Sequence, residues 1–311
     1  MAAGDHRGAG VITPRAEADR IVAVPLRHPV RNVLAVLLLV AVGAFVRDAA
    51  FNRPAYDWAS VGDYLFDDRV VRAALVTVEL TVLSMIGAVV LGTVLSVMRI
   101  SPNPVLKGIA WTYVWIFRGT PVYVQLVFWG LLSTIYRTVT VGIPFTDVSS
   151  TLVVEQAVSL FWIAVLALAL NEAAYMAEII RAGLTSVDPG QTEAATALGM
   201  SWWQTMSRII IPQSMSVIIP PTGNEVISML KVTSLVTAVP LSTDLYMRTR
   251  DISAETFNPI PLLIVASIWY LFFTSVLMAG QYVLERRFAR QTRHVDVGPD
   301  ATAGPTGEEH A

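Results

Sequence analysis

Seven polar side chains stand inside otherwise apolar stretches of the chain: Glu79, Glu155, Glu172, Glu225 and Lys231, with the amides of Asn171 and Asn224 beside two of the acids. An ionisable group within a membrane span costs at least about 2.5 kcal/mol on insertion scales, so each must meet a partner or line a watery path. Glu225 and Lys231 are six residues apart and cannot pair as neighbours on one helix, whereas Glu178 and Arg181, three apart, can. That second pair reads as structural, Glu79 as meeting a polar neighbour near the outer end of its span, and Tyr175 and Gln125 fit either role. Covalent chemistry has little to stand on. Cysteine is absent, which excludes disulfides and thiolate metal sites, and the four histidines, at positions 6, 28, 294 and 310, fall in or near the tails. No Gly-x-x-x-x-Gly-Lys-Ser/Thr loop is present to cradle a nucleotide. What remains is reversible binding of polar groups inside a bilayer.

The elements that position these residues follow from composition. The chain has 311 residues, 54% hydrophobic and 15% charged, with a mean hydropathy of +0.57, too apolar for an ordinary soluble domain. A net charge of −2 offers no basic surface for nucleic acid. A crossing helix needs about 20 mostly apolar residues, and six stretches qualify: 30–48, 71–98, 119–137, 152–180, 207–236 and 260–284. The expected fold is therefore an all-α, polytopic membrane helical bundle. PVLKGIAWTYVWIF (104–117), rich in aromatics and ending at Arg118, reads as a helix at the membrane interface. In the fifth span Pro220 and Pro221 remove backbone donors and Gly223 loosens the helix, freeing carbonyls to face a cavity. Placing the N-terminus inside puts fourteen Arg and Lys residues on the cytoplasmic side against seven outside, so both termini are expected in the cytoplasm. Residues 1–28 and 289–311 read as disordered cytoplasmic tails, and 138–151 and 248–259 as outer loops.

Between the fourth and fifth spans the chain turns polar. Asp188-Pro189 is a helix start, with an N-cap acid followed by proline in the first turn. Gly199 supplies the left-handed residue that closes the helix, and Ser201-Trp202-Trp203-Gln204 is a capping box that opens the next one. The sequence thus encodes helix, sharp turn, helix. The exposed face of the first helix is expected to carry Ala194, Ala195 and Ala197 with Glu193 just before them, small residues over which another surface can come close to the backbone.

Glu193, Ala194, Ala195, Gly199, Ile209 and Pro212 match the Glu-Ala-Ala, three residues, Gly, nine residues, Ile-x-Leu-Pro signature, with Ile211 where the pattern has Leu. The chain thereby resembles the integral membrane subunits of ABC importers. Phe117 to Gln125 (FRGTPVYVQ), Asn171 to Ile179 (NEAAYMAEI) and Pro220 to Leu235 resemble the polar amino acid permease branch, of the histidine, glutamine, glutamate and arginine type. The resemblance covers 70 to about 288. It implies an ABC transmembrane domain at 70–288 with coupling helices at 189–211, preceded by an additional span and outer connector at 29–69. By this resemblance Glu193, Ala194, Ala195, Leu198 and Gly199 couple to a separate ATPase dimer that holds ATP and magnesium, so this chain is a transport subunit with no cofactor of its own. A second permease subunit, identical or a sister chain, and an extracytoplasmic solute-binding protein complete the expected assembly in the bacterial inner membrane. A zwitterionic amino acid needs an acid for its ammonium and a donor for its carboxylate, and Asn171, Glu172, Tyr175, Asn224, Glu225, Lys231, Thr233 and Ser234 are the candidates along its path. The alternative is a carrier driven by an ion gradient, which would normally show paired broken helices in an internal repeat.

Overall fold

The computed structural model describes residues 29–142, 149–153, 159–239 and 241–292. The two expected tails, apart from 289–292, and Glu155 lie outside them. The chain divides into two units at Pro54. The first contains α1, Pro29–Phe51, which is apolar all round and has no buried residue; such a helix belongs in lipid.

The second unit begins with α2, Trp58–Leu65, whose N-cap Asp57 also accepts from Asn258 Nδ2 at 2.7 Å. The long α3, Asp68–Ile100, follows. After Asn103, which caps through its own Oδ1, come α4, Pro104–Gly119, then α5, Val122–Gly130, and the single turn α6, Leu132–Ile135. The helix α7 covers Leu160–Thr185. The polar insert holds α8, Pro189–Ala197, and α9, Trp202–Thr205, continued by a wide π-type turn at Met206–Ile210 into α10, Ile211–Val232. A 3-10 segment, Thr233–Ala238, leads to α11, Leu245–Thr256, and α12, Pro259–Thr292. Among the described residues, four helices are long and apolar enough to cross a membrane: Pro29–Phe51, Asp68–Ile100, Leu160–Thr185 and Pro259–Phe288.

Small residues hold the centre of the second unit together. α3 and α7 pack so closely that a Cβ on Gly92 would stand 2.7 Å from Met176 Cβ and 3.1 Å from the Ala173 carbonyl, and one on Gly87 would stand 3.0 Å from Ala169 Cβ. Close backbone approach of this kind is how helices gain contact where lipid removes the hydrophobic incentive. At one end of the two helices Glu178 is shared by two arginines, accepting from Arg99 at 2.6 Å and Arg181 at 2.9 Å. The expected i, i+3 pair is present, and Arg99 extends it across to α3.

Four expectations change. The segment 104–117 is not a separate interfacial helix but is packed into the bundle. Ala110 and Val114 are buried with Leu95, Ala173, Ala174 and Ala177, and Tyr113 Oη donates to the Leu170 carbonyl at 2.7 Å. Its C-terminal end therefore stands level with the middle of α7, and Arg118 leaves the cytoplasmic flank count. The all-α expectation misses a hairpin, β1 Thr138–Gly142 with β2 Ser149–Val153, antiparallel with Thr138 opposite Val153; alternating Thr and Val favour this pleat over a loop. Gly223 does not loosen α10, which is continuous through Pro220 and Pro221. It lets α12 approach instead, since a Cβ there would stand 3.0 Å from the Gln281 side chain. Finally, α12 runs on to Thr292, into the stretch read as a tail.

Candidate functional site

The sharp elbow between α4 and α5 is built from Gly119, Thr120 and Pro121, where proline both ends one helix and opens the next. Two buried amides from elsewhere lock it. The Phe117 carbonyl accepts from Gln125 Nε2 and from Asn171 Nδ2, each at 3.0 Å, and Gln125 Nε2 also donates to Thr120 Oγ1 at 2.7 Å. Asn171 Nδ2 donates further to Gln125 Oε1 at 3.1 Å. Asn171 and Gln125 are thus committed to fixing the backbone beside Arg118.

Around this elbow lies a pocket of about 490 Å³ lined by Arg118, Thr120, Asn171, Glu172, Tyr175, Glu225 and Ser228, with Leu168, Met229 and Val232 as its apolar walls. Glu172 is 7% exposed, and its Oε1 has no hydrogen-bond partner among the described residues. Glu225 of α10 stands beside it, its carboxyl group within hydrogen-bonding reach of Glu172. A buried carboxylate oxygen without a donor costs more than an ordinary hydrogen bond returns, so a site that keeps one open is built to receive a donor. The guanidinium of Arg118 lies over the Tyr175 ring, 5.1 Å from its centroid. A second cavity of about 440 Å³ shares Arg118, Gly119 and Tyr175 with the first and is bounded by Arg99, Glu178, Trp111 and Trp115. The arginine–tyrosine pair is a wall common to both.

Of the residues expected along a polar path, the pocket brings together Asn171, Glu172, Tyr175 and Glu225. It does not include Asn224, whose Oδ1 accepts from Gln281 Nε2 of α12 at 3.1 Å. Thr233 is buried and donates to the Leu230 carbonyl, Ser234 donates to the Lys231 carbonyl, and neither lines the pocket. Lys231 is exposed, as is Glu79 on α3, and neither has an ion pair among the described residues. Sequence reasoning passed over Arg118, assigning it to the membrane flank. The Phe-Arg-Gly-Thr-Pro stretch was a signal, because an arginine just before a Gly-Thr-Pro break caps a helix end that can open onto a cavity.

The second site is the polar insert. Asp188 accepts from Gly190 N at 2.6 Å at the start of α8. At its end Gly199 takes φ +72°, with Gly199 N donating to Thr196 O and Met200 N to Ala195 O, at 2.9 and 3.0 Å. That pair of bonds is the Schellman closure. The Ser201 and Gln204 capping box then forms in both directions, at 2.9 and 3.3 Å. Glu193, Ala194 and Ala197 are exposed and Leu198 is 80% exposed. Ala195, expected on the same face, is buried at 1%; its position on the helix turns it toward the segment that follows, against which α8 packs. Trp202 and Trp203 stand out beside it, 63% and 69% exposed.

The family described as binding-protein-dependent transport system inner membrane component matches residues 88–290. The arginine transport system permease protein ArgU of Corynebacterium glutamicum is 53% identical over 285 residues, covering 92% of this chain and 88% of that protein. The arginine transport system permease protein ArtQ of Bacillus subtilis is 35% identical over 214 residues, covering 68% of this chain and 89% of its own. Among solved structures, a crystal structure of an amino acid ABC transporter with histidines is similar, with 33% identity and a TM-score of 0.58, covering 70% of this chain and 94% of that one. The inward facing MetNI methionine ABC transporter, 17% identical with a TM-score of 0.55 over 70% of this chain and 95% of that one, shares the fold.

Proposed function

This chain belongs to the binding-protein-dependent transport system inner membrane component family, and on that premise we propose that it moves polar amino acids, cationic ones among them, inward through the pocket between α4, α7 and α10. It is the membrane-spanning permease subunit of an ATP-driven importer and not an enzyme; hydrolysis belongs to a separate chain. The alternative of a carrier driven by an ion gradient finds no support, since the relatives and solved neighbours are ABC permeases and transporters.

The observation that carries the pocket assignment is the open Oε1 of Glu172 opposite Glu225. Two carboxyl groups facing each other inside a bundle suit a ligand that brings its own cation, and arginine is what the two relatives are named for. In this reading Glu172 and Glu225 receive ammonium or guanidinium groups, while Asn171 holds the elbow and Tyr175 forms one wall. The charge-neutral variant Glu225→Gln, reconstituted with its ATPase and binding protein, should lose most amino acid uptake while assembling normally. Undiminished uptake would return Glu225 to a structural role.

The rest of the arrangement follows in the same reading. Six crossings are made by α1, α3, α4 to α6 taken together, α7, α10 and α12, with 70–288 as the transport domain, 29–69 as an N-terminal addition, and tails at 1–28 and, past the end of α12, at 293–311. Both termini and the insert face the cytoplasm; with Arg118 inside the bundle the basic residues divide thirteen to seven. Glu193, Ala194, Leu198 and Gly199 present the face that enters an ATPase cleft, and Ala195 supports it from beneath. ATP and magnesium sit on that ATPase dimer, which shifts the bundle between its two arrangements by binding them unequally. A second permease subunit and an extracytoplasmic binding protein complete the importer. The lone charges Glu79 and Lys231 support a partner chain, because an exposed ionisable group on a spanning helix is costly in lipid.

A further inference from the structure

Arg118 is the one cation among the residues lining the pocket. Its guanidinium has no ion pair among the described residues, and it acts electrostatically on Glu225 across the cavity. Its guanidinium lies instead over the face of the Tyr175 ring. That contact matters chemically because a ring face is not a carboxylate or carbonyl acceptor, and the guanidinium's N–H donors have no hydrogen-bonded acceptor among the described residues. Those donors form a fork that fits the two oxygens of a carboxylate. The backbone carrying them is held rigid, since the Phe117 carbonyl is bound by two amides and the next residues form the Gly-Thr-Pro elbow. Pre-organisation of this sort reduces what binding must spend on ordering.

The pocket is therefore dipolar, with an acidic pair at Glu172 and Glu225 that keeps Glu172 Oε1 open, and a guanidinium at Arg118. We infer that Arg118 receives the α-carboxylate of the transported amino acid and so selects α-amino acids over amines and amides of the same side chain. The inference rests on the pocket reading above and assigns its second pole. It also gives the shared wall a consequence: an arginine drawn toward a bound carboxylate leaves the Tyr175 ring, and the partition between the 490 Å³ and 440 Å³ cavities then loosens only when cargo is present.

The test uses the complete permease and ATPase complex in lipid nanodiscs without binding protein, so that the membrane domain's own preference is read. Labelled L-arginine is displaced by unlabelled L-arginine or by L-argininamide, which keeps the guanidinium and the ammonium but lacks the carboxylate. The wild type should bind the amide at least tenfold more weakly. Arg118→Gln should bind arginine as weakly as the wild type binds the amide, with the amide itself unchanged, a split that general damage to the fold would not produce. Arg118→Lys, which keeps the charge without the fork, should restore part of the preference. Equal binding of acid and amide by the wild type overturns the assignment, as does a preference that survives in Arg118→Gln. Should Arg118→Gln fail to assemble, the wild-type comparison still decides. Absence of any saturable arginine binding by the wild type would instead overturn the pocket reading, and the role of Arg118 with it.

Discussion

Replacing Gly199 isolates the contribution of one backbone angle to the link with the ATPase. The residue closes α8 at φ +72°, and a Cβ built there meets no atom within 4 Å. Within this chain, then, substitution acts on the turn through conformation and not through collision, and a loss that followed side-chain bulk alone would place Asn below Ala. For an L-residue the left-handed region costs about 1–2 kcal/mol, more when the side chain is branched at Cβ, while asparagine tolerates it best. If the Schellman turn sets the angle between α8 and α9, that cost reappears as weakened docking, a factor of roughly 5 to 30 at each turn. The expected order of affinity is Gly, then Asn, then Ala, then Val. A titration of nanodisc-embedded permease with purified ATPase subunit, read by fluorescence anisotropy, would give the series. The capping box at Ser201 and Gln204 is untouched by these changes and holds the start of α9 constant. A Gly199→Val variant that binds ATPase with wild-type affinity, or a series without this order, would refute the view that the turn orients the docking face.

Two further outcomes are expected. Gly92→Ala forces a methyl to within 2.7 Å of Met176 Cβ and should lower stability by about 1–3 kcal/mol, seen as a lower thermal midpoint in detergent; Gly108→Ala, which faces open space, should leave it unchanged or raise it slightly. Asp244, buried at the N-cap of α11 with Oδ1 unpartnered among the described residues, has its carboxyl pushed up to about 6 by burial. A raised acid favours the folded state most below the ordinary value of 3.8 and loses that advantage as pH rises through about 6. Asp244→Asn, which can still cap, should therefore flatten the fall in thermal midpoint between about pH 4 and 6, and an unaltered profile would count against the burial argument.

The polar insert was legible because its determinants are local. Asp188 before Pro189, Gly199 at a helix end and Ser201 three residues before Gln204 each dictate a bond within a few residues of themselves, and each bond is present. What depends on distant neighbours was not legible. Ala195 and Ala194 are the same residue type on one short helix, and only the packing of the following turn decides that one is buried. Arg118 looked like a flank residue because its helix is short and aromatic; that it ends beside Asn171 is set by the fit of Ala110 and Val114 against α3 and α7. Asn224 adjoins Glu225 in the sequence, yet a step of about 100° around a helix sends it to Gln281 and not to the pocket. The strand at 138–142 was legible in the sequence, since Thr-Val-Thr-Val alternates with the period of a strand.

The glycine and alanine seam between α3 and α7, tied at one end by Glu178 to two arginines, leaves those two rods nothing to slide on. They must travel as a single stave. Any rocking that carries cargo across the membrane then has to be taken up elsewhere, along edges such as the one where α10 meets α12 through the long, bendable side chain of Gln281. A crosslink welding α3 to α7 would be harmless to such a machine, whereas one placed between α10 and α12 would stop it.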